Sequence, residues 1–120
     1  GSGKNIRDWL YVDDHIDAIL RVADKGIPGE NYCIGGNNEK QNLDVVNQIC
    51  QYLDKHIPQK NSYKSLIKFV SDRPGHDFRY AIDSTLIRKD LNWLPNHNFE
   101  DGLEKTIDWY LKNKNWLRKK

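Results

Sequence analysis

The sequence predicts a small α/β protein of α+β character, with short strands and about four helices. Three observations carry that reading. Short β-branched and aromatic runs alternate with stretches whose apolar residues recur at helical spacing. Gly, Pro and Asn clusters punctuate the junctions between them. At 120 residues the chain is long enough for one core of modest size. Strands interleaved with helices pack as layers, because each apolar stripe or sheet face needs another element to cover it.

Gly1-Ser2-Gly3-Lys4-Asn5 reads as a turn, and Ile6 to Val12 alternates as a strand. Asp13 or Asp14 is placed to cap the next helix, its carboxylate accepting the free N–H groups of the first turn. In that helix Ile16, Ile19, Leu20 and Ala23 form one apolar face, and Gly26, Pro28 and Gly29 end it. Asn31 to Ile34 is expected as a short strand closed by Gly35-Gly36-Asn37-Asn38. A second helix starts with Asn42 as cap and buries Val45, Val46, Ile49, Cys50 and Leu53. Pro58 to Lys64 is a loop, Ile67 to Val70 a strand, Arg73-Pro74-Gly75 a turn and Phe78 to Ile82 a further strand. Asp83 caps a helix that runs to Leu91 and stops before Pro95. A last helix, Glu100 to Lys112, buries Leu103, Ile107, Tyr110 and Leu111. The opening element begins abruptly in a turn, so the chain reads as cut from something larger. Residues 1–120 are expected to form one domain without an internal linker.

Hydrophobic residues make up 38% and charged residues 30%, too apolar for disorder. No run approaches the roughly 18 apolar residues that cross a bilayer, and no charged-then-apolar leader opens the chain. The expectation is a cytoplasmic protein with no membrane partner. Cys33 and Cys50 lack CxxC spacing and a histidine cluster, and are expected as reduced, buried thiols. Lys112, Lys114, Arg118, Lys119 and Lys120 give the last ten residues +5, which leaves the rest at −3 for a net +2. A solvated helix end explains this run better than phosphate contacts do, so no nucleic-acid partner is expected.

The stretch richest in chemistry is Ser71-Asp72-Arg73-Pro74-Gly75-His76-Asp77, together with Ile6-Arg7-Asp8-Trp9. Each sets an arginine beside an acid where the backbone bends or stiffens. A guanidinium presents a planar fork of donors that fits phosphate oxygens in pairs. Two such arginines point to a clamp for a diphosphate; two surface salt bridges are the competing reading, each contributing under about 1 kcal/mol. Asp8 and Asp72 are expected to hold their neighbours' side chains, and His76 either contacts a ligand or supports the loop. His15 and His56 are expected on the surface. With His97 they show no paired ligand spacing, so no metal is expected. Gly1-Ser2-Gly3-Lys4 lacks the rest of a P-loop, and neither a GxGxxG fingerprint nor a nucleophile elbow is present. Nothing here makes a catalytic constellation.

Residues 1–15 (GSGKNIRDWLYVDDH), 31–46 (NYCIGGNNEKQNLDVV) and 69–83 (FVSDRPGHDFRYAID), with NWLP and DGLEKTIDWYL, resemble the C-terminal part of the dTDP-glucose 4,6-dehydratases. These are extended short-chain dehydrogenases/reductases. The pairing of RDW with DRPGHD favours them over UDP-sugar relatives. The resemblance implies that Arg7 and Arg73 grip the diphosphate of dTDP-glucose and Asn42 contacts the nucleotide. Asp72, Arg73, Pro74, Gly75 and His76 then line that end of the pocket. It also implies an N-terminal Rossmann half that binds NAD and carries a YxxxK pair with Thr, Asp and Glu, outside this chain. The full enzyme would be a homodimeric lyase making dTDP-4-keto-6-deoxyglucose, as in dTDP-rhamnose biosynthesis. These 120 residues alone would be an inert, NAD-free monomer. The alternative is a non-catalytic remnant or interaction module of a related UDP-sugar epimerase or dehydratase.

Overall fold

Eight elements follow one another in a computed structural model that describes residues 1–117: β1 (Ile6–Asp8), α1 (Val12–Lys25), β2 (Glu39–Gln41), α2 (Asn42–His56), a 3₁₀ turn (Tyr63–Leu66), α3 (Thr85–Leu91), α4 (Phe99–Lys112) and α5 (Lys114–Leu117). The mixed α/β composition is the expected one. The elements divide between two compact units, residues 1–8 with 39–81 and residues 9–38 with the chain from Ile82 onward.

In the first unit β1 and β2 pair antiparallel, with Ile6 opposite Gln41, Arg7 opposite Lys40 and Asp8 opposite Glu39. The expected strand to Val12 is therefore cut short, and the pairing strand is Glu39–Gln41. The second helix begins at Asn42 as read, yet Asn42 is not a side-chain cap. Backbone carbonyls take that place, with Asn42 N–H donating to Asn5 O at 3.0 Å and Leu43 N–H to Gly3 O at 2.8 Å. The first orphan donors of α2 are thus satisfied by the chain entering β1. Gly3 sits at φ +76, and a Cβ there would meet the Leu43 Cβ at 3.0 Å, so the turn requires glycine. Val45 and Cys50 are buried in α2 while Val46 stays exposed. Asp54 in α2 accepts from Ser62 Oγ (2.6 Å) and Tyr63 N–H (2.8 Å), tying down the 3₁₀ turn. These bonds hold its carboxyl below the usual range.

Ile67–Val70 forms no strand, and Phe69 and Val70 are exposed. Of the strand expected over Phe78–Ile82 one parallel bridge exists, Ile6 with Arg79, flanked by Ile6 N–H to Phe78 O and Tyr80 N–H to Ile6 O. Arg79 closes the seam with a two-pronged pair to Glu39, Nε to Oε2 at 2.6 Å and Nη2 to Oε1 at 2.7 Å.

The second unit is built on Trp93, Ile87, Leu91 and Ala18, with Leu10, Val22, Tyr32 and Ile34 packed against them. The apolar face read for α1 is the outer one: Ile16, Ile19 and Leu20 are 48%, 48% and 63% exposed. The inner face carries Asp14, Ala18 and Val22, one turn apart each. Residues 31–34 have no ladder partner here, although Tyr32 and Ile34 reach the core. Cys50 is buried as expected, whereas Cys33 is exposed. Asp83 does act as a cap, its Oδ1 accepting Thr85 N–H at 2.9 Å, and Asn92 ends α3 in the left-handed conformation before Pro95. Asn98, not predicted, caps α4 through Asp101 N–H at 2.8 Å. Phe99 and Ile107 are buried, but Tyr110 is 41% exposed. It joins Trp109 and Trp116 in an aromatic cluster that includes α5, a helix the sequence did not announce. Arg118, Lys119 and Lys120 of the basic run lie outside the described residues.

Neither Asp13 nor Asp14 caps α1, which starts after Tyr11 without a side-chain cap. Asp14 is instead buried and accepts His97 N–H and His97 Nδ1, both at 3.0 Å. Burial alone would raise its pKa, but the His97 and Asn96 hydrogen bonds outweigh it and the carboxyl is lowered. A depressed folded-state pKa contributes stability that is present above the unfolded value near 3.9 and lost as pH falls through the folded value. Asp14→Asn should therefore cost about 1–2 kcal/mol at pH 7 and much less at pH 3, measured by urea midpoints at both.

Candidate functional site

All seven residues expected to bind a ligand fall in the first unit. Arg7 is carried on β1, Asn42 opens α2, and Asp72 to His76 form the turn that leads to the Ile6–Arg79 bridge. Pro74 restricts φ, and Gly75 sits at φ +67 with no atom near its missing Cβ, so backbone conformation alone asks for glycine. The reversal places His76 beside both Asp72 and Arg7.

Arg7 is held on several sides. Its Nη1 donates to Ile6 O (2.6 Å) and, more weakly, to Phe78 O (3.5 Å). Its Nη2 donates to Asp77 O (3.0 Å) and lies 2.9 Å from His76 Nε2. A guanidinium only donates, so His76 Nε2 is the acceptor and the imidazole proton sits on Nδ1. That Nδ1–H is given to Asp72 Oδ1 at 2.7 Å. The result is a relay, Arg7 to His76 to Asp72. The His76 bond is the main reason that the Asp72 carboxyl lies below the usual range, with the Arg73 N–H contributing.

Two sequence expectations change here. Asp72 does not hold the Arg73 guanidinium; it accepts the Arg73 backbone N–H at 2.9 Å and the His76 ring, because the turn folds residue 76 back over residue 72. His76 supports the loop through both nitrogens. Nor is Arg7 half of a surface salt bridge among the described residues, its hydrogen-bond partners being carbonyls and an imidazole. Arg73 is exposed, and its guanidinium makes no hydrogen bond among the described residues. A phosphate reaching Arg7 would exchange with carbonyl acceptors, while Arg73 needs no such exchange.

Tyr80 belongs to the same group and was missed, and it is joined by Asp77, the last residue of the stretch that stands out in the sequence. The Tyr80 ring lies 4.5 Å from Arg7 Cζ, and its hydroxyl donates to Asp77 Oδ2. That hydrogen bond and the Asp77 charge raise the Tyr80 pKa, while Arg7 and Arg73 both pull it down. Both arginines are thus in electrostatic reach of one phenol. A tyrosine inside an alternating run reads as a strand residue, so its only sequence signal was nearness to the turn.

The second unit holds a cleft of about 580 Å³ walled by Trp9, Tyr11, His97, Phe99, Lys105 and Trp109 among others. None of the seven expected residues lines it. Lys105 Nζ reaches His97 Nε2 at 2.7 Å, extending the Asp14–His97 contact. Tyr110 and Lys114 have the spacing of a Tyr-x-x-x-Lys pair. The helix breaks between them at Asn113, so they do not share a helical turn. His15 and His56 are exposed as expected, His56 stacking on Tyr52. Among the described residues no three His, Cys, Asp or Glu side chains gather as a metal site, and no helix is long and apolar enough to cross a membrane.

The family model described as GDP-mannose 4,6 dehydratase matches residues 1–106. A dTDP-glucose 4,6-dehydratase from Escherichia coli is 54% identical over 99% of the chain, which covers 34% of that protein. The crystal structure of dTDP-glucose 4,6-dehydratase from Bacillus anthracis in complex with NAD superposes with a TM-score of 0.85 at 46% identity, over 97% of this chain and 34% of that one. A Streptomyces venezuelae dTDP-glucose 4,6-dehydratase with NAD bound gives a TM-score of 0.86 at 36% identity, over the same shares. The chain thus spans about a third of the length of the curated relatives it matches.

Proposed function

The chain belongs to the GDP-mannose 4,6-dehydratase family, and from that premise we propose that it is the sugar-nucleotide-binding portion of an NAD-dependent dTDP-glucose 4,6-dehydratase. The observation that carries this reading is 54% identity, sustained over 99% of the chain, to an enzyme of that name. The geometry supports it: Arg7, beside His76 and Tyr80, and the exposed Arg73 of the turn both act on the Tyr80 phenol, and two guanidiniums suit the two negative charges of a nucleoside diphosphate. In this proposal Arg7 and Arg73 hold the diphosphate, Asn42 meets the nucleotide, and Asp72 to His76 shape that end of the pocket. The whole enzyme would be a homodimeric cytoplasmic lyase that converts dTDP-glucose to the 4-keto-6-deoxy sugar, feeding dTDP-rhamnose synthesis.

The residues described do not fit NAD. No glycine-rich turn precedes a helix, and the first N–H groups of α2 are taken by Asn5 and Gly3 carbonyls, so α2 offers no pyrophosphate cradle. What this chain contributes is binding and orientation: a braced Arg7 and an exposed Arg73 draw in and align the diphosphate, so that the sugar is presented to chemistry supplied elsewhere.

The test is a chimera in which these residues replace the matching third of the Escherichia coli enzyme. The chimera should convert dTDP-glucose, prefer it to UDP-glucose and GDP-mannose, and retain NAD. The 120-residue chain alone should do none of these. A chimera that folds, binds NAD and turns over only a UDP-sugar would overturn the assignment.

A further inference from the structure

We propose that Tyr80 is a positioning and affinity-setting residue for the sugar-nucleotide site, acting by holding the guanidinium of Arg7 in the plane that meets the diphosphate. This rests on the proposed role of Arg7 and goes beyond it by naming what fixes that side chain. The hydrogen bonds to Ile6 O, Asp77 O and His76 Nε2 direct the edge of the guanidinium, but edge contacts leave the plane free to tilt. The Tyr80 ring supplies the missing restraint from the face, 4.5 Å from Cζ. Its hydroxyl in turn is fastened to Asp77 Oδ2, and the Asp77 carbonyl is itself an Arg7 acceptor. Residues 77 and 80 therefore form one clip, closing on Arg7 from edge and face. The Ile6–Arg79 bridge, with Tyr80 N–H bonded to Ile6 O at 3.1 Å, locks the clip to the strand that carries Arg7.

Nothing in the burial of Tyr80 demands this placement. It is 49% exposed, so its ring contributes little to the core. An exposed aromatic placed on a cation is better explained by what the cation has to do. Attraction between a guanidinium and a ring face grows as water is excluded, so a bound nucleotide that covers the site tightens the clip. Tyr80 is not a catalytic residue in this scheme, because it touches Arg7 and not the reacting atoms.

The experiment measures dTDP binding by calorimetry, and dTDP-glucose kinetics, in an intact dehydratase carrying these residues. Tyr80→Leu should weaken dTDP binding about 3- to 30-fold, the range expected for a cation–ring contact that is partly desolvated. Tyr80→Phe, which keeps the face and loses only the Asp77 bond, should recover most of that. The loss should fall on KM with kcat nearly unchanged, since the diphosphate stays bound through the reaction. In Arg7→Ala the further change Tyr80→Leu should have little effect, because the clip has nothing left to hold. Thermal melting should be within a few degrees of the parent for each Tyr80 variant. If Arg7→Ala weakens binding but Tyr80→Leu does not, or if the two losses simply multiply, Tyr80 has no positioning role. If Arg7→Ala binds dTDP like the parent, the role given to Arg7 fails, and this inference with it.

Discussion

Trp93→Ala should destabilise the protein by about 3–5 kcal/mol, a large share of the 5–15 kcal/mol typical of a folded domain. Trp93 is fully buried and meets Ala18, Ile87 and Leu91, so its removal leaves a void that three small or rigid neighbours cannot close. The lost transfer energy and the cavity then add. Trp93→Phe should cost far less. It keeps an aromatic ring, and it gives up no hydrogen bond, because the indole N–H has no partner among the described residues. Leu94→Ala, the adjacent residue at 58% exposure, is the control and should stay within about 0.5 kcal/mol. Urea midpoints at constant slope give these differences. A Trp93→Ala variant within about 1 kcal/mol of the parent would show that the second unit is not built on this residue.

Elements whose signal is local were legible. The turn at Gly75, the Asp83 cap, the end of α3 before Pro95 and the body of α4 follow from a few neighbouring residues, and they stand where the sequence put them. Strands were the opposite case. Ile67–Val70 and Asn31–Ile34 have the right side chains, but a strand exists only where a second backbone answers its hydrogen bonds, and none does among the described residues. Glu39–Gln41, polar and unpromising, pairs because the chain at Ile6–Asp8 lies beside it. The face of α1 failed for a related reason. Periodicity locates a stripe, yet the partner decides which side is covered. Here the covered side includes Asp14, whose burial is tolerable only because His97, far along the chain, supplies two hydrogen bonds.

The candidate site divides in the same way. Arg7 and Asp72 to His76 could be picked out because arginines next to acids, proline and glycine are locally unusual. The joining of Arg7 to Asp72 through His76 could not, for it depends on the tautomer and on a contact across some seventy residues. The two bonded nitrogens of His76 and the exposed Tyr80 become informative only when β1 and the turn are seen together. That join also separates the two arginines in what they can do. Arg7 is braced by the protein, whereas Arg73 projects into solvent.

Arg73→Ala should weaken dTDP-glucose binding by about 10- to 150-fold in an intact enzyme carrying this segment, the equivalent of one charge-assisted hydrogen bond of roughly 1.5–3 kcal/mol. Removing the guanidinium leaves a phosphate oxygen partly desolvated without its donor, which is why the loss exceeds that of an ordinary surface charge. Arg73→Lys should restore only part, because an ammonium is a point charge and cannot bind two oxygens in one plane. The loss should appear in KM and leave kcat close to the parent, as the diphosphate contacts are alike in ground and transition states. Arg7→Ala should weaken binding over the same range. It should also lower stability, since it strips donors from Ile6 O, Phe78 O and Asp77 O and a partner from His76. Arg73→Ala should not, its side chain making no hydrogen bond among the described residues. The two substitutions thus separate binding from folding, and melting curves beside titrations read both. Should Arg73→Ala bind substrate like the parent while Arg7→Ala only melts earlier, the diphosphate is held elsewhere and the turn is structural.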